Sequence, residues 1–396
     1  MILIFFSNYL NLHQVLVADN LYRLLGNDFR FVATLPRNEK ELKGGDDYST
    51  RPYCILAAES KKNHIRAMEM AVNAEVCVFG ACSQEYAVER AKKNPQGLSF
   101  EMGERWLKHG WLTIGSPVFR KWAWNYYRYY SKANFYKLCC SSFTAGDDEK
   151  LHAYKGRHFK WGYFTEVSSE ISDKPDETLN MKHESGEPSV RLMWCARFLL
   201  WKHPELVIEL AAKLKRDGYN VAIDMYGDEP STPSRNTYPR NQLLALIDKL
   251  NVEDIVTLKG NRPNGEILKA MQEGDIFLFT SDRGEGWGAV ANESMANGCV
   301  LVASDAIGST RYLVKHKETG MIFRSCDLDS LYEQVKYLLD NPDVCKQISE
   351  AGRESMVKLW SPANAARSLL QLIDDLQNGN DTSITEGPCS KALCWK

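Results

Sequence analysis

The sequence has no apolar run approaching the roughly 18 residues of a membrane span, which excludes a helical integral-membrane protein. It has no C-x-x-C pair among its 11 cysteines, which excludes the usual paired spacing of a structural zinc site. The odd count, and the placing of Cys77, Cys139, Cys195 and Cys299 inside apolar strand-like runs, argue against a disulfide scaffold and for reduced thiols in a cytoplasm. A basic excess is also missing. With 49 Lys and Arg against 51 Asp and Glu, the net charge is −2, and a dedicated nucleic-acid binder would be strongly basic. The opening MILIFF lacks a basic lead and is too short for a signal-peptide core. It reads as a first buried strand. No internal repeat is present.

What remains is an ordinary soluble composition, 44% hydrophobic and 25% charged, over 396 residues. Single cores stop growing at about 250–300 residues, so two domains are expected. The second half alternates strand-like and helix-like segments. VRLMWCA (190–196) is a short apolar run. ELVIELAAKLKR (205–216) sets Leu206, Val207, Leu210, Ala211 and Leu214 on one helical face, with Pro204 suited to the first position and Gly218 to the end. NVAIDMYG, DIVTLKG, DIFLFT and CVLVASD read as strands, and NQLLALIDKL and GEILKAMQEG as helices. This rhythm predicts α/β domains with parallel, doubly wound sheets covered by helices. The first half is similar but less regular: MILIFFS, FRFVATLP and AEVCVFGA are strands, and KLCCSSFTAG is read as another.

The expected organisation is an N-terminal domain over 1–167, a polar, acid-rich linker with two prolines over 168–189, and a C-terminal domain over 190–360. An amphipathic helix over 361–378 follows, and then a mobile tail over 379–396 without periodicity.

The most informative stretch is SDRGEGWGAVANESMANG (281–298). It follows the strand DIFLFT, so it lies at a strand's carboxyl end, where open α/β sheets bind ligands. Gly284, Gly286 and Gly288 let backbone amides approach a ligand closely. ANESMAN reads as a helix capped by Gly298, and amides at a helix start suit phosphate. Glu285 and Glu293 stand eight apart, one before the helix and one in its first turns. A lone Glu in either place would read as a solvated surface charge. The glycine cluster and the preceding strand favour a pair of carboxylates that accept hydrogen bonds from sugar or ribose hydroxyls. The glycines run G-x-G-x-G, so this is not the dinucleotide fingerprint.

These residues form an E-x7-E pattern with EGWG in place of the common EGFG. The segment resembles the donor site of retaining glycosyltransferases of the GT-B fold, family four (glycosyl transferases group 1), nearest to bacterial enzymes of surface-polysaccharide assembly. WCARFLLWKHPELVIELA (194–211) resembles the family's GR-x4-K loop, with Arg197 and Lys202 on its basic positions and Ala196 in place of Gly. DMYGDEP resembles its strand-then-glycine segment at Gly227, and VTLKGNRPNGEI its next strand and loop, at Asn261. LVASDAIGSTRYLVKHKETGMIF resembles its closing region, with Ser309 in place of a Gly and Tyr312 where an acid is usual. The resemblance covers roughly 190–325.

It implies two Rossmann-like domains facing a cleft, and a nucleoside-diphosphate sugar as donor. Arg197, Lys202 and Glu285 are the implied catalytic set. Glu293, Gly286, Trp287, Gly288, Gly227 and Asn261 are the implied donor-binding set. One acid holds the donor sugar and the other the ribose. Positioned cations at 197 and 202 stabilise a leaving diphosphate and can replace a metal ion, so neither metal nor cofactor is expected. The helix over 361–378 is expected to cross back to the first domain.

In the first half, SNYLNLHQ (7–14) and GACSQEYAVERAKK (80–93) each follow a strand. Asn11, His13, Ser83 and Glu85 are the acceptor-side candidates, though a loop histidine is more often simply satisfied. Residues 105–137 hold seven Lys and Arg, no acid and eleven aromatics. That mixture suits an anionic membrane surface or, equally, a packed aromatic layer with cations outside. The expectation is thus a glycosyltransferase acting with retention on a glycan or polyprenyl-linked acceptor in cell-surface polysaccharide synthesis. It would be cytoplasmic, or peripheral on the membrane's inner face, with no nucleic-acid partner. Two alternatives stay open: a nucleotide-sugar 2-epimerase-like enzyme, and a non-catalytic glycan- or membrane-binding module.

Overall fold

The computed structural model describes residues 1–36, 47–108, 110–167 and 190–395. The chain divides into two compact units, Met1–Glu166 with Leu359–Lys396, and Val167–Lys358. The segment read as a linker, 168–189, lies outside the described residues.

Unit 1 is built on β1 (Leu3–Ser7), β2 (Phe29–Ala33), β3 (Cys54–Leu56), β4 (Val76–Phe79), β5 (Leu98–Gly103), β6 (Phe135–Cys139) and β7 (His158–Lys160). All pair in parallel, in the order β3-β2-β1-β4-β5-β6-β7. Its helices are α1 (Leu12–Leu25), α2 (Lys61–Asn73), α3 (Gln84–Lys93), α4 (Pro117–Arg128) and α5 (Thr144–Lys150). Unit 2 carries β8 (Val190–Cys195), β9 (Val221–Tyr226), β10 (Val256–Gly260), β11 (Ile276–Phe279), β12 (Val300–Ser304) and β13 (Met321–Phe323), also all parallel, in the order β10-β9-β8-β11-β12-β13. Its helices are α6 (Pro204–Arg216), α7 (Arg240–Leu250), α8 (Asn264–Glu273), α9 (Val290–Ala296), α10 (Thr310–Leu313), α11 (Leu328–Asp340) and α12 (Pro342–Lys358). The final helix, α13 (Pro362–Gln377), belongs to unit 1 and packs on α1.

Local chemistry accounts for these elements. Strands β1, β4, β11 and β12 are buried along their whole length, as continuous apolar runs between helical layers should be. Asn11, Ser60 and Ser361 cap α1, α2 and α13 through their side-chain oxygens, satisfying amides that have no partner within the helix. Helix α6 opens on Pro204 and buries Leu206, Val207, Leu210, Ala211 and Leu214, the stripe its sequence spacing predicts.

Two expectations are corrected. KLCCSSFTAG is a strand only as far as Cys139, and the chain then turns into α5 at Thr144. The tail is held rather than loose. Lys160 donates its amide to Ser390 O (2.8 Å), Cys389 donates to Lys160 O (2.7 Å), and Ala392 donates to His158 O (3.1 Å). An antiparallel bridge joins Phe159 and Lys391. The tail has no periodicity of its own because it takes its order from the open edge of β7, whose backbone groups it satisfies.

Candidate active site

In each sheet the strand order reverses direction once, between β1 and β4 and between β8 and β11. Such switch points open a crevice outside the carboxyl ends of the strands. In unit 2 the loop after β8 carries Arg197 and Lys202, and the loop after β11 carries Ser281 to Gly288. Two motifs about eighty residues apart in sequence therefore meet at one crevice.

Lys202 and Glu285 form an ion pair, with each side chain only 14% exposed. Ser281 Oγ also donates to Glu285, at 3.4 Å. The loops are tied together beneath this pair. Trp194 Nε1 donates to Thr280 Oγ1 (3.0 Å), Thr280 Oγ1 donates to Lys202 O (2.6 Å), and Asp282 donates its amide to Trp201 O (2.9 Å). Arg197 is exposed and has no ion pair among the described residues. Glu293 lies in the first turn of α9. Burial alone raises its carboxyl above the usual range, and no described side chain pairs with it. A desolvated carboxylate with free lone pairs is a strong acceptor for hydroxyls.

The glycine positions divide by role. Gly227 follows β9 at φ 119, and a Cβ there would lie 1.9 Å from Ala196 O. Its amide donates to Gly260 O (2.9 Å), so it threads between the ends of β8 and β10. Gly288 has φ 78, and its Cβ would meet Phe279 at 2.2 Å. Gly286 is buried in the same turn and Asn261 is exposed at the end of β10. Trp287 was expected among the ligand contacts, but its indole is fully buried and donates to Asn292 Oδ1 at 2.8 Å. It anchors the turn from inside. Ser309, a departure from the glycine pattern, donates its hydroxyl to Trp287 O at 2.6 Å and fastens the following loop to that turn.

Sequence reading missed the cluster around His203. This residue sits in a left-handed conformation (φ 49) directly after Lys202. Its Nδ1 lies 2.7 Å from Glu205, and its Nε2 lies 3.4 Å from both Asp282 and Cys326 Sγ. Hydrogen bonding to Asp282 and Glu205 raises the imidazole from 6.5 to about 10, and the charged ring in turn holds Asp282 low against the opposing effect of burial. The cluster braces the 202–205 and 281–285 segments. Its only sequence signal was the adjacency of His203 to the basic loop.

In unit 1, Asn11 and His13 line a cavity at the carboxyl ends of the strands. The Asn11 side chain accepts from the His13 amide as the cap of α1, and the His13 ring stacks on Tyr163 with centroids 5.5 Å apart. Ser83 and Glu85 do not line that cavity, whereas Gln84 between them does. Glu85 is exposed in the first turn of α3.

Residues 176–355 match the family model of glycosyl transferases group 1. The D-inositol 3-phosphate glycosyltransferase of Thermobispora bispora is 27% identical over 177 residues, covering 44% of this chain and 41% of that protein. An N-acetylgalactosamine-N,N'-diacetylbacillosaminyl-diphospho-undecaprenol 4-alpha-N-acetylgalactosaminyltransferase of Campylobacter jejuni is 29% identical over 136 residues, 34% of this chain and 36% of its own length. The matches thus span less than half the length of these relatives. Among solved structures, HepE of Anabaena in complex with UDP aligns over 94% of this chain and 100% of its own, with a TM-score of 0.67 at 14% identity. The likeness in fold therefore extends across both units, while the likeness in sequence concentrates in the second. The chain has the two-domain GT-B fold, and its second unit is a glycosyl transferases group 1 domain.

Proposed function

We propose that the protein is a retaining glycosyltransferase that moves a sugar from a nucleoside-diphosphate sugar to a glycan or lipid-linked glycan in cell-surface polysaccharide synthesis. The observation that carries this reading is the Lys202–Glu285 pair, assembled at the switch point of unit 2 from two distant motifs. A leaving diphosphate gains negative charge in the transition state. Lys202 and Arg197 stabilise that charge more than they stabilise the ground state, which accelerates the step. The diphosphate competes with Glu285 for the Lys202 ammonium, and Glu285 is then available to the hydroxyls of the donor sugar. Glu293 takes the ribose hydroxyls. The acceptor proton passes to the leaving phosphate, on the same face. The scheme uses two side-chain cations where other transferases use a metal ion.

The test is a thermal-shift screen with UDP, GDP, ADP, TDP and CMP and their sugar conjugates. UDP comes first, because the HepE structure is described with it. A ligand at a hundredfold its dissociation constant adds about 2.7 kcal/mol. One diphosphate should raise the melting temperature of the wild type and not of Lys202→Ala. No shift with any of them, or turnover that survives Glu293→Gln combined with Arg197→Ala, counts against the reading.

An anionic membrane surface is the second proposed partner, with the protein peripheral on the cytoplasmic face. No helix among the described residues is long and apolar enough to cross a membrane. The basic, aromatic stretch splits in the structure. Trp106, Phe119, Trp122, Tyr126 and Tyr130 pack into unit 1. Trp111, Leu112, Val118 and Trp124 are exposed, at 60%, 87%, 65% and 65%, beside exposed Arg120, Lys121 and Arg128. Exposed apolar side chains together with exposed cations, such as Arg128 over the Trp124 ring, suit anionic headgroups. Flotation with phosphatidylglycerol-containing vesicles should carry the protein up, and flotation that leaves it at the bottom removes this partner.

A further inference from the structure

Unit 1 contains a cavity of about 720 Å³ at the carboxyl ends of β1, β4, β5 and β6. Lys137 on β6 and Glu101 on β5 both line it. Lys137 is 1% exposed, and its Nζ lies 3.4 Å from Glu101 Oε1. Burial works against the ammonium, but Glu101 and Asp148 outweigh it, and the lysine titrates above its usual range. It is a cation at working pH. Beyond the Glu101 contact, the ammonium makes no hydrogen bond among the described residues. The other Glu101 oxygen is already engaged, accepting from Trp122 Nε1 at 3.1 Å and from the Tyr154 hydroxyl. The carboxylate is therefore locked in place, while the lysine keeps donors to spare on a cavity wall.

Glu101, Asp148 and the Tyr154 ring, 5.6 Å from the ammonium, compensate its charge, but they leave its hydrogen-bonding capacity largely unused. The remaining donors call for an oxygen from a ligand. An anion at Lys137 would lie against the Glu101 carboxylate, and the other cations of the lining are already paired, Lys108 with Glu104 and Arg105 with Asp147. A cation would meet Lys137 itself. A neutral hydroxyl fits both groups at once, accepting from the ammonium and donating to the carboxylate. Trp106 and Tyr163 supply ring surface in the same cavity for the C–H faces of a pyranose. Accepting the transferase reading, on which this step rests, we infer that Glu101 and Lys137 bind hydroxyls of a neutral sugar of the acceptor and so select it.

Saturation-transfer NMR on the full chain tests this with methyl α- and β-glycosides of glucose, galactose, mannose and N-acetylglucosamine. At least one should receive saturation from the wild type. The signal should fall tenfold or more in the Glu101→Gln/Lys137→Met double variant. That variant removes both charges together, so neither remains buried and unpaired. If it fails to fold, Lys137→Met alone carries the test, because the Glu101 carboxylate still accepts from Trp122 and Tyr154. The UDP-induced thermal shift, which reports on unit 2, should be unchanged in these variants. Absence of any glycoside signal in the wild type, or an equal signal in the variants, overturns the inference. A UDP shift without glycoside binding leaves the transferase reading standing and removes this one. Glycoside binding without any nucleotide shift supports the hydroxyl site and counts against the transferase reading.

Discussion

Gly227→Ala is the sharpest perturbation of the proposed donor site that alters none of its charged side chains. A Cβ at this position would lie 1.9 Å from Ala196 O and 2.8 Å from its carbonyl carbon, whereas ordinary contact begins at 3.4 Å. Backbone must therefore yield by about 1.5 Å, since no flexible side-chain end is available to move. The residue also holds φ 119, outside the range an alanine adopts easily. Overpacking costs typically about 1–3 kcal/mol, and an unfavourable positive φ adds roughly 1–2. The expected loss is roughly 2–5 kcal/mol, or about 4–20 °C in the melting temperature of a unit this size. Ala196 immediately precedes Arg197, so the displacement is delivered to the cationic loop. A shift of about 1 Å in a positioning group can cost about a hundredfold in rate. The assays are differential scanning calorimetry and donor turnover on the same preparation, with the nucleotide found in the screen. Melting and turnover both matching wild type would refute the reasoning, because the crowding at Ala196 leaves no room for a neutral outcome.

Three further predictions follow from other parts of the structure. His203 has a folded pKa raised from 6.5 to about 10, so its contribution is complete below 6.5 and lost as pH rises through 10. Urea midpoints should decline from pH 7 to 10, by up to about 1.4 kcal/mol per pH unit, and His203→Gln should flatten that decline; parallel curves for the two proteins would contradict it. Deleting residues 381–396 removes three backbone hydrogen bonds from the edge of β7, costing at least about 2 kcal/mol. Hydrogen exchange should show the Lys160 amide losing protection, and unchanged protection would mean the tail does not hold that edge. Trp287→Phe strands the buried Asn292 carbonyl oxygen and should cost about 1–3 kcal/mol. A thermal melt indistinguishable from wild type would show that the indole is not the anchor of the glycine turn.

The primary sequence determined the strand-and-helix alternation of unit 2, because continuous apolar runs and amphipathic stripes such as that of α6 depend only on local spacing. It also determined the donor-side candidates, because glycine at a strand end and acids at a fixed spacing are themselves local signals. What it could not determine was pairing. That Lys202 meets Glu285 depends on β8 and β11 being neighbours, which sheet topology sets and no local pattern encodes. Trp287 looked like a ligand contact because an aromatic between glycines has the same sequence whether it points into a crevice or into the core. The tail looked loose because an edge-covering segment takes its order from its partner strand, with no period of its own. Glu101 and Lys137 were invisible for a related reason. They lie thirty-six positions apart on adjacent strands, where a strand's inward charge reads as an interruption, and only the register of β5 with β6 makes them opposite neighbours. Tertiary structure decides such pairs because burial gives a charge its partner only after the chain has folded.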